Sequence, residues 1–128
     1  MATSKVLVVD DDPIHQRIAQ IMIDRHQIFD VCKCYTDGQT AMDYIKENTT
    51  DDEELPDVIL LDLNMPNLDG WGFLDQFLAL EDKIKKEIRI YIVSSSVDEK
   101  DIIRSKIYPS VRGFISKPLS PDILRNTH

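Results

Sequence analysis

Five short apolar runs alternate with helical patterns along this 128-residue chain. Most of the runs are rich in Val and Ile, and each is too short to form a helix. The runs are Lys5–Val9, Phe29–Cys34, Val58–Leu61, Ile88–Val93 and Gly113–Ser116. Strands and helices that alternate in this way require right-handed crossovers, which make the strands parallel and place helices on both faces of the sheet. The sequence therefore predicts an α/β fold with a doubly wound, five-stranded parallel sheet.

The segments between the runs carry apolar residues at helical spacing, which indicates a helix in each gap. The first stripe follows Pro13, a residue suited to the first turn of a helix, and fits one helix face. Its members are Ile14, Ile18, Ile21 and Met22. The other stripes are Ala41, Met42 and Ile45; Trp71, Leu74, Phe77 and Leu78; and Ile102, Ile103 and Ile107. A last short helix is predicted at Pro121–Asn126, and the predicted N-caps are Asp12, Asp98 and Ser120.

The charge balance limits what such a domain binds. Fifteen Lys and Arg residues against 23 Asp and Glu residues give a formal net charge of −8. Nucleic acids and anionic membranes need clustered positive charge, so neither is predicted as a partner. No stretch approaches the roughly 20 apolar residues of a membrane span, and the first residues contain no apolar signal region. The sequence is therefore interpreted as one cytoplasmic domain, residues 1–128.

The two cysteines, Cys32 and Cys34, lie two residues apart in the second apolar run. In a strand, both side chains point to the same face. Neighbours at this spacing rarely form a disulfide, and the sequence nearby offers too few ligands for a metal site. Buried free thiols are therefore predicted.

Polar side chains follow the apolar runs where the predicted strands end. Three aspartates, Asp10–Asp12, follow the first run, and Asp62 and Asn64 follow the third. Hydroxyls at Ser94–Ser96 follow the fourth run, and Lys117 follows the fifth. Ligands of open parallel sheets bind at the carboxyl ends of the strands. The sequence thus predicts one rim with carboxylates, hydroxyls and a lysine.

This combination points to phosphoryl chemistry. Carboxylates that converge repel one another, and a hard divalent cation such as Mg²⁺ relieves that repulsion. A lysine and a hydroxyl near such a metal are suited to phosphoryl oxygens, which leaves a carboxylate as the nucleophile. Each residue alone also has an ordinary interpretation as a turn, a cap or a surface charge. The three histidines, His15, His26 and His128, are predicted to be surface residues.

Several segments carry a resemblance to a known family. They are Val8-Val9-Asp10-Asp11-Asp12-Pro13, Leu60-Leu61-Asp62-Leu63-Asn64-Met65-Pro66, Asp69-Gly70, Val93-Ser94-Ser95 and Ser116-Lys117-Pro118. In this order they resemble the receiver domains of two-component response regulators, and the resemblance covers essentially the whole chain. It implies a flavodoxin-like sheet with strand order 2-1-3-4-5.

The resemblance also implies residue roles. Asp62 matches the phosphoryl-accepting aspartate. Asp11 matches a direct Mg²⁺ ligand, Asp10 a ligand through water, and Asn64 a position that gives its backbone carbonyl to the metal. The remaining positions are the switch hydroxyl Ser94, the lysine Lys117, whose bond to Pro118 is typically cis, and the switch aromatic, here Phe114 where the family often has Tyr.

The predicted function is phosphorylation-dependent signalling by protein contact, or phosphorelay to a second histidine. The predicted partners are a sensor histidine kinase or a histidine phosphotransfer protein, together with an unknown downstream protein. Enzyme activity would be limited to self-phosphorylation and autodephosphorylation. One alternative is a small phosphatase or phosphotransferase with an aspartyl nucleophile, of the haloacid dehalogenase type. Such enzymes carry Asp-x-Asp, whereas Asn64 stands at the second position here. Another alternative is a phosphorylation-independent binding module, which missing acidic or lysine positions would indicate.

Overall fold

The computed structural model describes residues 4–65, 67–95 and 98–128, so Pro66 and Ser96 of the motifs above lie outside the described residues. Strands and helices alternate as the sequence predicts. The elements are β1 (Lys5–Val9), α1 (Pro13–Arg25), β2 (Val31–Tyr35), α2 (Gly38–Glu47), β3 (Val58–Asp62), α3 (Gly70–Leu80), β4 (Arg89–Ser94), α4 (Glu99–Ser105), β5 (Val111–Ser116) and α5 (Pro121–Thr127), with a short 3₁₀ turn at Glu81–Lys83. Among the described residues, no helix is both long and apolar enough to cross a membrane.

The five strands form one parallel sheet in the order β2-β1-β3-β4-β5, which confirms the predicted topology. Every residue of β1 and β3 is buried, because helices cover both faces of these central strands. The side chains of successive residues in β1 point to opposite faces of the sheet. Leu7 and Val9 belong to the core under α2 and α3, whereas Val6 and Val8 belong to the core under α1 and α5.

Three strands begin at residues other than those predicted, and of these β4 differs least, with Arg89 as its first residue instead of Ile88. β2 begins at Val31 instead of Phe29, because Asp30 is engaged elsewhere: its Oδ2 accepts hydrogen bonds from Ser4 N at 2.9 Å and Ser4 Oγ at 3.1 Å. β5 begins at Val111 instead of Gly113 and has a register irregularity opposite Ile90 and Tyr91. The contact between Asp30 and Ser4 is not visible in a local pattern, because it joins residues 26 positions apart.

Helix α1 presents its apolar stripe to solvent, which is the main departure from the predicted pattern. Ile14, Ile18 and Ile21 are 69%, 48% and 49% exposed. The helix instead buries Gln16, Ala19 and Ile23, which share another face at the same helical spacing. The small Ala19 side chain allows that face to lie close to the sheet. The isoleucines in and just after α4 behave similarly, since Ile102, Ile103 and Ile107 are 40%, 60% and 64% exposed.

The predicted helix starts are confirmed by side-chain caps. Asp12 Oδ1 accepts from Ile14 N at 2.9 Å, and Asp98 Oδ1 accepts from Lys100 N at 3.0 Å. Ser120 Oγ accepts from Ile123 N at 3.2 Å. Each cap satisfies one amide that has no partner within its helix.

Asp57 connects three strands at the amino-terminal edge of the sheet. Its Oδ2 accepts from Lys5 N at 2.8 Å, and its own N–H donates to the Lys5 carbonyl at 2.8 Å. The Asp57 carbonyl accepts from Arg89 N at 3.0 Å, and its Oδ1 lies 3.1 Å from Lys86 Nζ. One residue thereby joins the beginnings of β1, β3 and β4.

Candidate functional site

The carboxyl ends of four strands bring the predicted polar residues to one rim. Asp10 follows β1, and Asp62 is the last residue of the neighbouring β3. Ser94 is the last residue of β4, and Lys117 directly follows β5. Because the strands are parallel and adjacent, residues up to 107 positions apart in the chain become neighbours.

Three aspartates form the acidic part of the rim. One carboxylate oxygen from each of Asp10, Asp11 and Asp62 lies within 4.8 Å of the others. Asp10 and Asp62 are only 6% and 7% exposed, whereas Asp11 is exposed. Two buried carboxylates with an exposed third leave the group open to solvent on one side.

Backbone amides hold the two buried carboxylates in place. Asp10 Oδ1 accepts from Asp12 N at 2.9 Å, and Asp62 Oδ1 accepts from Asn64 N at 3.1 Å. The Asp10 amide itself donates to the Tyr35 carbonyl at 3.1 Å, which ties this turn to the end of β2. Each buried carboxylate therefore has one oxygen fixed by its own turn and a second oxygen available to other groups.

Lys117 provides the positive charge opposite those second oxygens. Its Nζ lies 3.4 Å from Asp10 Oδ2 and 3.7 Å from Asp62 Oδ2. The Lys117 amide donates to the Ser94 carbonyl at 2.9 Å, which fixes the ends of β4 and β5 together. The Lys117–Pro118 peptide bond is cis, as the sequence comparison with the family implies.

Burial raises the pKa of Asp62 above its usual range, and the charge of nearby Asp10 raises it further. The Asn64 amide and the Lys117 ammonium group act in the opposite direction without offsetting the burial. The ionised form of Asp62 is therefore held in an environment that favours additional positive charge.

The acidic group fits Mg²⁺ in donor type. All its donors are oxygens, which hard cations prefer, and the exposed side at Asp11 has room for the waters that Mg²⁺ retains. The residues present are thus compatible with the predicted metal.

The other predicted residues lie around this centre. Ser94 is buried at 5% exposure, and Ser95 beside it is exposed. Asn64 is exposed, and its amide donates to the Asp62 carboxylate. Phe114 is half-buried in β5, pairs with Ile92 of β4 and packs against the core under α2 and α3.

His15 also belongs to the site, although the sequence predicts only a surface residue. Its Nδ1 lies 3.2 Å from Lys117 Nζ, 3.4 Å from Asp12 Oδ2 and 3.9 Å from Asp10 Oδ2. The side chain is about half exposed, which agrees with part of the prediction. The available signal was its place in the first turn of α1, a helix that starts at the rim.

A cavity of about 350 Å³ opens between α1 and the segment after β5. Its walls combine the polar rim with apolar side chains, among them Asp10, His15, Ile18, Asp62, Lys117 and Leu119. Ile18 of the exposed isoleucine stripe of α1 belongs to this lining. A group that enters the cavity reaches Asp62 across an apolar surface.

Comparison with known proteins identifies the family. The model of the response regulator receiver domain matches residues 6–127, which is nearly the whole chain. The chain belongs to the response regulator receiver domain family. As a receiver domain it is part of two-component signalling, and the predicted family and strand order are confirmed.

Two curated relatives show how receiver domains occur in longer proteins. The probable C4-dicarboxylate response regulator DctR of Bacillus subtilis is 31% identical over 121 residues, which are 94% of this chain and 49% of DctR. The probable methanogenesis regulatory protein FilR2 of Methanothrix harundinacea is 28% identical, over 95% of this chain and 77% of FilR2. This receiver domain therefore spans about half the length of the first relative.

Solved structures agree with the fold of this receiver domain. A two-component response regulator from Cytophaga hutchinsonii is 27% identical and has a TM-score of 0.84, with coverage of 99% of this chain and 95% of that one. The receiver domain of the histidine kinase CKI1 from Arabidopsis thaliana, solved with Mg²⁺, has a TM-score of 0.82 at 22% identity, with coverage of 98% and 92%. The latter supports the fold alone.

Proposed function

We propose that this receiver domain accepts a phosphoryl group on Asp62 and signals through protein contacts, the whole of residues 1–128 acting as one domain. The observation that carries the proposal is the arrangement around Asp62, a buried carboxylate with Lys117 Nζ at 3.7 Å and two further carboxylates within 4.8 Å. In the reaction a carboxylate oxygen of Asp62 attacks phosphorus, and an acyl phosphate forms. The bond from phosphorus to the donor's imidazole nitrogen breaks, and that nitrogen keeps the electron pair.

Four residues would hold Mg²⁺ in this proposal. Asp11 and Asp62 would bind it through their carboxylates, Asp10 through water and Asn64 through its backbone carbonyl. When bound, the cation neutralises charge on the transferring phosphoryl group and orients it. The chain's own residues do the rest, since the Asn64 and Asp12 amides keep the carboxylates of Asp62 and Asp10 in position.

Lys117 and Ser94 would receive the phosphoryl oxygens after transfer. Lys117 already lies between Asp10 and Asp62, so a phosphoryl group on Asp62 gives its ammonium group a closer anionic partner. Ser94 is connected to Lys117 through the backbone hydrogen bond between them. A movement at either residue is therefore transmitted to the other.

The phosphodonor would be a sensor histidine kinase or a histidine phosphotransfer protein that docks on α1. Support comes from the exposed apolar stripe of Ile14, Ile18 and Ile21 on α1, of which Ile18 lines the cavity that leads to Asp62. The downstream partner would bind the surface around α4, where Ile102, Ile103 and Ile107 are exposed. The cytoplasmic location stays a prediction from the sequence.

A separate hydrolytic enzyme is less well supported. Some relatives are protein-glutamate methylesterases, such as that of Photorhabdus laumondii, but the match covers 88% of this chain and only 29% of that protein. The aspartyl phosphatase alternative needs an acid or base two residues after the nucleophile, and Asn64 cannot serve. We therefore propose chemistry limited to gain and loss of the Asp62 phosphoryl group.

The direct test is incubation with acetyl phosphate and Mg²⁺, followed by intact mass and peptide mapping. We expect one phosphoryl group, mapped to Asp62, and none in Asp62→Asn. The matched control is Asp52→Asn, an exposed carboxylate away from the rim, which we expect to be labelled like the parent. Labelling of folded Asp62→Asn to the parent extent would overturn the assignment.

A further inference from the structure

The two thiols of the chain contact each other on the edge strand β2. Cys32 Sγ and Cys34 Sγ are 3.9 Å apart, and both side chains are partly buried, less than the sequence predicts. They lie on the face of β2 that packs toward α1. β2 is the edge strand of the described sheet, and both cysteine side chains keep partial exposure to solvent.

The backbone disfavours a direct disulfide between them. A disulfide needs sulfurs about 2.05 Å apart and Cβ atoms about 3.8 Å apart. Residues i and i+2 of a strand have Cα atoms about 6.6 Å apart, with parallel side chains. Closing a disulfide would require β2 to bend away from its pairing with Val6 and Val8 of β1.

A single atom bound to both sulfurs fits the 3.9 Å separation between Cys32 Sγ and Cys34 Sγ. With bonds of about 2.3 Å, the length that zinc–sulfur bonds have, a separation of 3.9 Å gives a sulfur–metal–sulfur angle of about 116°. That angle is near the tetrahedral value. The pair is therefore spaced for chelation.

The two thiols differ in acidity, so Cys34 loses its proton more readily than Cys32. A hydrogen bond from Cys32 lowers the pKa of Cys34, while the same contact and burial raise the pKa of Cys32. The carboxylate of Asp24 raises the pKa of both thiols, so the surroundings are negative and favour a cation over a further anion. Thiolate sulfur binds soft metal ions preferentially, whereas the carboxylate oxygens of the acidic rim prefer hard cations such as Mg²⁺.

We propose that Cys32 and Cys34 form a two-sulfur site for a soft, thiophilic atom that binds both thiolates at once. For a divalent soft cation, two S–H bonds break, two S–metal bonds form and two protons pass to solvent. For a monosubstituted trivalent arsenical, two As–OH groups are replaced and two waters leave. Among the described residues only the acidic rim draws three ligand side chains together, so water or the ligand itself supplies any further coordination here.

The test uses the reduced, full-length chain with Mg²⁺ present, titrated in separate arms with Cd²⁺ and with phenylarsine oxide. We expect binding of one equivalent per chain in at least one arm, seen as the cadmium–thiolate ultraviolet band or as the adduct in intact mass. Replacing either cysteine by serine should weaken binding about 100-fold or more, because the second bond of a chelate is intramolecular. Asp52→Asn, which lies outside both sites, should bind like the parent.

The two titrations show whether the site accepts a soft metal cation, a trivalent arsenical or both. Binding of one equivalent in either titration supports the proposal. Each serine variant is paired with the alanine variant, and only variants with the parent circular dichroism spectrum are compared. Unchanged binding in any folded single-cysteine variant would overturn the proposal. So would one equivalent per two chains, or no binding in both arms.

Discussion

Asp62 illustrates how a single side chain acquires its chemistry from where its strand ends. The last position of β3 buries it, the Asn64 amide fixes one oxygen, and Asp10 and Lys117 act on it with opposite charges. The aspartates after the strands were predictable, because the ends of parallel strands share one edge. The contact between His15 and Lys117 was not, since it depends on how the first turn of α1 and the segment after β5, 102 residues apart, are placed in the fold.

The raised pKa of Asp62 predicts a pH dependence of stability without divalent cations. A carboxyl that binds its proton more tightly in the folded than in the unfolded state contributes stability at low pH. This contribution is complete below the unfolded pKa and is lost as pH rises through the higher folded pKa. We expect the free energy of unfolding of the parent, minus that of Asp62→Asn, to fall as pH rises through this window in urea titrations. A difference that rises with pH would contradict the burial argument.

Asp11 predicts a link between charge repulsion and metal binding. Asp11→Asn removes one charge from the acidic rim, so the variant should be more stable than the parent without Mg²⁺. Mg²⁺ at ten times its Kd should stabilise the parent by about 1.4 kcal/mol. In thermal unfolding that increment should largely disappear in the variant. An equal increment in both would show that Asp11 is not a ligand.

At the scale of elements, periodicity located the helices but not their orientation. The stripe of α1 fits a helix face, yet Gln16, Ala19 and Ile23 face the sheet. A second face with the same spacing was available, and the choice depends on contacts with β-strands distant in the chain. Similarly, β2 begins at Val31 because Asp30 binds Ser4, 26 residues earlier. Element type and order were therefore predictable, while the orientation of α1 and the strand ends were not.

The exposed stripe of α1 predicts a selective loss of donor docking. Ile18 is 48% exposed, so Ile18→Ser should change stability by no more than about 0.5 kcal/mol. Labelling by acetyl phosphate should be unchanged, because a small donor needs no docking surface. Phosphotransfer from a histidine phosphotransfer protein that labels the parent should slow.

The matched control is Ile103→Ser, a similarly exposed residue on α4. It should leave both labelling reactions at the parent rate. If Ile18→Ser and Ile103→Ser slow protein-dependent transfer equally, α1 is not the docking surface.

At the scale of the whole molecule, the site and the surface around α4 are connected through β4 and β5. Ser94 and Lys117 share a backbone hydrogen bond, and Phe114 lies three residues before Lys117 on β5. A hydroxyl that turns toward a phosphoryl oxygen gains a charge-assisted hydrogen bond worth roughly 1.5–3 kcal/mol. That gain shifts a two-state equilibrium by about one to two powers of ten.

This connection predicts that Ser94→Ala separates labelling from signalling. The variant should still accept a phosphoryl group on Asp62, but amide shifts at Ile102, Ile103 and Phe114 on addition of beryllofluoride should largely vanish. Since Phe114 has no hydroxyl, its rotation would act through packing alone. Equal shifts in parent and Ser94→Ala would show that the coupling bypasses this serine.

The cluster around Asp57 determines where such a change can go. Because Asp57 ties together the beginnings of β1, β3 and β4, those strands cannot slide lengthwise past one another when charge is added at their opposite ends. The sheet is therefore held at the edge where its strands begin, and the rim with Asp62 lies at the opposite edge. A displacement at the rim is therefore passed to the loops after the strands and to the helices that these loops lead into. A partner protein can bind those helices and detect the change.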